Sequence, residues 1–114
     1  RILNLLKNKK LYEIVKIKII KLSQYFDINN LEKIDFLKID TEGYEYDVLK
    51  GLEDKIIKIR LIMLEHHYDD MIKKNYTFGD ISDLLQTNNF IMIYKSKIPF
   101  RITFEYIYIN NDLD

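Results

Sequence analysis

Two polar clusters hold both histidines and six of the eighteen acidic residues of this 114-residue chain. Asp40-Thr41-Glu42-Gly43-Tyr44-Glu45 follows the apolar run Ile34 to Ile39, and Glu65-His66-His67-Tyr68-Asp69-Asp70 follows the apolar run Ile59 to Leu64. Carboxylates and an imidazole converging on one place are the raw material of general acid–base work or of a hard-metal site. Each residue also has a plainer use. Asp40 or Thr41 suits the cap of a following helix, and Gly43 suits a tight strand-to-helix turn. Glu65 suits a structural pair with Lys38 on an adjacent strand, and Asp69 and Asp70 suit a solvated loop. His66 and His67 alternate faces at a strand end, so at most one points into a shared crevice. Spacing alone leaves the function open.

The surrounding pattern supplies the elements that position these clusters. Three glycines and one proline punctuate the chain, so regular structure with short connections is expected throughout. Arg1 to Glu13 reads as a frayed helix or the end of an earlier element. Val15, Ile17 and Ile19 alternate with Lys16 and Lys18, the period of a half-exposed strand. Leu22 to Phe26 reads as a short helix or turn, and Asn29–Asn30 as a loop. After the Ile34 to Ile39 strand, Tyr44, Val48, Leu49, Leu52 and Ile56 recur at helical spacing. A buried strand over Ile59 to Leu64 follows. Thr77 and Asp80 have the spacing of a capping box for a helix carrying Phe78, Ile81, Leu84 and Leu85, with a stop at Asn88–Asn89. Phe90 to Tyr94 and Ile102 to Ile109 form an antiparallel pair joined across Pro99, with Ile102, Phe104, Tyr106 and Tyr108 on one face. Strand, helix, strand, helix, strand, strand predicts an α/β domain: a parallel sheet finished by an antiparallel hairpin. In such sheets ligands gather outside the carboxyl ends of the parallel strands, where both polar clusters fall. Neighbouring strands lie about 4.8 Å apart, so the clusters should line one crevice.

Composition narrows the function classes. Eighteen basic residues cancel eighteen acidic ones, which disfavours a strongly basic nucleic-acid binder. The absence of cysteine excludes disulfides, thiolate metal sites and a cysteine nucleophile, and fits a cytoplasmic setting. No apolar run approaches the roughly 18–20 residues of a membrane span.

The run Ile34-Asp35-Phe36-Leu37-Lys38-Ile39-Asp40-Thr41-Glu42-Gly43-Tyr44-Glu45, continuing to Val48-Leu49-Lys50-Gly51, closely resembles the signature of FkbM-type methyltransferases. Val15 to Phe26, Ile62-Met63-Leu64-Glu65 and Phe78 to Phe90 resemble the family's flanking elements, so the resemblance covers residues 15–114. It implies a Rossmann-like class I methyltransferase fold, the cofactor S-adenosylmethionine, and methyl transfer to a hydroxyl of a sugar, lipid or polyketide-like acceptor. Ser23 departs from the acidic residue usual at that position. The glycine-rich loop and second-strand acid that hold the cofactor are not found, so the chain reads as a single partial domain, the C-terminal half. In isolation that half is expected to be inactive. The whole fold would have sheet order 3-2-1-4-5-7-6, of which this chain supplies 4-5-7-6, leaving the strand at Asp40 with an open edge for another chain.

By the resemblance, Asp40 is the first choice for catalytic base and also borders the cofactor, with Glu42 and His67 as further catalytic candidates. Tyr44, Glu45 and Glu65 are candidates for holding the acceptor, although Glu45 also suits its own helix start. No metal is assigned, although a divalent ion between Asp40 and Glu65 is the arrangement that would acidify a hydroxyl. Two readings of another class stand beside this one. The chain is then a split or inactive domain serving as an interaction module, or a small metal-binding module around Glu65 to Asp70.

Overall fold

The computed structural model describes residues 12–113. The elements run α1 (Leu22–Ile28), β1 (Ile34–Ile39), α2 (Glu45–Lys50), a 3₁₀ turn (Glu53–Lys58), β2 (Ile59–His67), α3 (Phe78–Thr87), β3 (Phe90–Lys97) and β4 (Thr103–Asn110). The four strands form one mixed sheet in the order β1-β2-β4-β3. β1 is parallel to β2, and β4 is antiparallel to both β2 and β3. The chain is therefore α/β. The last strand of the hairpin, not the first, packs beside the parallel pair.

Strand alternation gives the sheet two unlike faces. Ile62 and Leu64 of β2 lie opposite Leu37 and Ile39 of β1 and opposite Tyr108 and Tyr106 of β4. These residues join Leu49, Leu52, Ile56, Ile81 and Leu85 from the helical layer in one core. Each such aliphatic side chain withdrawn from water contributes about 1.5–3 kcal/mol. The opposite face is only half covered: Phe36 keeps 51% of its surface exposed and Ile91 keeps 49%. α3 starts where its capping box predicts, with Asp80 N–H donating to Thr77 Oγ1 at 3.3 Å and Thr77 N–H to Asp80 Oδ2 at 2.9 Å.

Several expectations need correction. Val15, Ile17 and Ile19 do not form a strand; all three are exposed, and the segment pairs with none of the four strands. Alternation without a ladder partner is not enough to make a strand. The helix expected from Tyr44 to Ile56 breaks into α2 and the 3₁₀ turn. The Gly51 carbonyl accepts the Ser23 N–H of α1 at 3.0 Å, and Lys55 N–H turns instead to Leu52 O at 2.9 Å. Glu53, at φ 51°, completes the break. β2 runs on through Glu65, His66 and His67 because β4 pairs with each of them. The expected element at Arg1 to Glu13 lies almost wholly outside the described residues.

Candidate active site at the carboxyl edge of the sheet

The turn after β1 is built around a buried carboxylate. Glu42 at φ 54° and Gly43 at φ 105° reverse the chain, and both backbone positions fall in the left-handed region that glycine enters freely. Glu45, 1% exposed, then folds back under the turn. Its carboxylate accepts the Thr41 N–H at 3.1 Å, the Gly43 N–H at 3.1 Å and the Tyr76 hydroxyl. Burial pushes its pKa up, but the hydrogen bonds from Tyr76 and from the turn N–H groups outweigh that and hold it below the ordinary value. Glu45 is thus the framework of the turn. Tyr44 is exposed and lines a separate groove of 710 Å³ with Ile19, Ile20 and Val48. That groove does not include His67.

The structure brings together Glu42, Glu65 and His67, each with one potential ligand atom within 4.8 Å of the others. His67 is 7% exposed. Its Nδ1 lies 2.9 Å from Thr103 Oγ1, while its Nε2 has no hydrogen-bond partner among the described residues and lies 3.7 Å from Glu42 Oε2. Glu65 sits between like charges. Burial, then the carboxylates of Asp40 and Glu105, push its pKa up, while His67 draws it down. No ion pair joins Lys38 to Glu65 among the described residues. Asp40 is exposed at the end of β1, close enough for its charge to act on Glu65, but outside the three-residue group. Glu42 and His67 line a cavity of 280 Å³ with Asp69, Phe100, Arg101 and Thr103.

His66 points to the other face, as the alternation requires. It is 3% exposed and ringed by Tyr68, Phe78 and Tyr76, at centroid distances of 4.6, 5.5 and 5.9 Å. Burial, then the charge of Lys74, lowers its pKa to about 4, so it is neutral at physiological pH. It borders an 870 Å³ cavity with Tyr68, Tyr76 and Phe78. Two residues that organise this edge, Tyr76 and Thr103, escape a reading by motif. Tyr76 lies in an irregular loop with no periodicity. Thr103 becomes visible only once β2 and β4 are in register, where it pairs with His67.

A family model described as the methyltransferase FkbM domain matches residues 3–92, a span that includes both polar clusters. The AMB antimetabolite synthetase AmbE of Pseudomonas aeruginosa is 40% identical over 74 residues, covering 61% of this chain and 3% of that much longer protein. No solved structure matches significantly. With the match running over most of its length, the chain belongs to the family of FkbM methyltransferase domains.

Proposed function

We propose that this chain is the acceptor-side, C-terminal half of a Rossmann-like class I O-methyltransferase that uses S-adenosylmethionine, with a hydroxyl of a sugar, lipid or polyketide-like molecule as acceptor. The observation that carries this reading is the convergence of Asp40, Glu42, Glu65 and His67 at the carboxyl edge of β1 and β2 in a chain of this family. The sheet order β1-β2-β4-β3 supports it, being the order the resemblance implies for the 4-5-7-6 side.

The described residues do not fit S-adenosylmethionine by themselves. The Gly43 N–H is engaged by Glu45, Gly51 packs against Asp47 and Leu22, and Gly79 lies inside α3. None follows a strand as a cofactor cradle. The cofactor therefore requires a further half, for which the outer edge of β1 and the half-covered sheet face supply a surface; Asp40 would border it. This half would hold the acceptor and take its proton. Asp40, exposed and not engaged by the turn, removes the proton from the acceptor hydroxyl. Glu42, from the same turn, and His67, from the neighbouring strand end, hold that hydroxyl, and Glu65 adds a further contact. Orientation of this kind supplies up to about 7–11 kcal/mol in favourable cases. Tyr44 and Glu45 keep lesser parts, Tyr44 at the adjoining groove and Glu45 in shaping the turn.

The test is methyl transfer from labelled S-adenosylmethionine to a panel of hydroxylated acceptors, with the cofactor-binding half present. Asp40→Asn should remove most of the turnover while the circular dichroism spectrum stays unchanged. Turnover at the unsubstituted rate in that variant would remove Asp40 from the chemistry. Absence of transfer to every acceptor, with binding of a partner chain to the β1 edge, would favour an interaction module instead.

A further inference from the structure

We propose that Glu42, Glu65 and His67 form a binding site for a divalent first-row transition cation at the carboxyl edge of β1 and β2. Two carboxylates close together are commonplace and would carry nothing alone. The imidazole is the decisive group. His67 is more than nine-tenths buried, and among the described residues its Nε2 has no hydrogen-bond partner although it faces Glu42 Oε2 at 3.7 Å. A buried polar atom without a partner is costly, and nearly all such atoms in folded proteins find one. Three ligand atoms within 4.8 Å of one another come close to what a common ion requires, since atoms each about 2.1 Å from a metal lie roughly 3–4.2 Å apart. The side chain of Glu42 is 60% exposed, so it is free to close the remaining distance.

The surroundings have the character of a metal site's outer shell. Ligating histidines typically donate their second N–H to an oxygen, which fixes the ring and its tautomer. Thr103 Oγ1, at 2.9 Å from Nδ1, is placed to accept that N–H and leave the Nε2 lone pair facing the carboxylates. Asp40 and Glu105 add negative charge around Glu65. Arg101 lines the adjoining cavity but makes no ion pair with Glu42 or Glu65 among the described residues. One imidazole with two carboxylates suits manganese or zinc better than calcium or magnesium, which favour all-oxygen ligand sets. This site is built from the same Glu42, Glu65 and His67 that the proposed function sets beside the acceptor hydroxyl, yet its existence does not rest on methyl transfer.

Binding is therefore measured with neither cofactor nor acceptor present. Free Mn²⁺ is read by electron paramagnetic resonance as the protein is titrated, and the ring nitrogens of ¹⁵N-labelled histidine are followed as Zn²⁺ is added. The expected result is one saturable site per chain, a shift at His67 Nε2 and none at His66. Glu42→Gln, at an exposed position the fold tolerates, should weaken Mn²⁺ binding roughly tenfold or more, while Glu53→Gln leaves it unchanged. No saturable uptake at millimolar metal would overturn the proposal. So would an unchanged affinity in Glu42→Gln, or a shift confined to His66.

Discussion

The Tyr76 hydroxyl donates to the buried Glu45 carboxylate and so ties the loop after β2 to the turn after β1. Both walls of the crevice are thereby fixed to one carboxylate. Glu45→Ala should leave the Gly43 N–H and the Tyr76 hydroxyl without a partner and cost about 2–4 kcal/mol. Tyr76→Phe removes one bond of three and should cost about 1–2 kcal/mol. Urea midpoints would check both, and equal losses in the two variants would argue against a shared anchor. The pH dependence has a definite sign. Because the pKa of Glu45 is lower in the folded state, its stabilisation is full above the ordinary value of 4.5 and is lost as pH falls through the folded value.

Gly43 admits no side chain. A Cβ there would lie 2.6 Å from the Lys73 carbonyl oxygen and 2.9 Å from Ile72 Cγ2, at φ 105°. Gly43→Ala should destabilise the protein by about 1–3 kcal/mol from backbone strain, with the clash in addition. Gly79→Ala is the contrasting case. Its Cβ meets only Thr77 Oγ1 at 3.4 Å, within α3, so the change should be neutral or stabilise by up to about 1 kcal/mol. Thermal denaturation of the two variants separates these outcomes.

His66 should make the fold sensitive to mild acid. Its folded pKa of about 4 lies below the ordinary 6.5, so the unfolded chain takes up the proton first. Stability is then full above about pH 6.5 and falls by about 2–3 kcal/mol as pH drops toward 4. Replacing His66 by Phe, among Tyr68, Tyr76 and Phe78, should flatten that part of the profile. An identical slope in the variant would assign the acid sensitivity elsewhere.

Backbone exchange should follow strand position. Among the described strands β2 and β4 each have two neighbours, whereas β1 and β3 have one. Amides of Ile62, Leu64, Tyr106 and Tyr108 should exchange slowest, and those of Phe36 to Ile39 at least tenfold faster. Protection of Phe36 to Ile39 equal to that of β2 would mean that another strand covers the β1 edge.

The strands Ile34–Ile39 and Ile59 onward, the Thr77–Asp80 cap, the face pattern of β4 and membership of the methyltransferase family are all legible in the order of residues. These signals are local: period, capping chemistry and a contiguous motif. Features that depend on partners distant in the chain emerge with the folded arrangement. Val15 to Ile19 has a strand's alternation but no ladder beside it, and Gly51 ends α2 because its carbonyl is taken by Ser23. Glu45, which the motif offers as an acceptor contact, is bonded by Tyr76, thirty-one residues away. His67 and His66 are neighbours in sequence, yet pleating sends one toward Glu42 and Thr103 and the other into an aromatic ring. Burial and long-range pairing set those roles, because the same side chain is a ligand, a cap or a core residue according to what the fold places within about 3–4 Å of it.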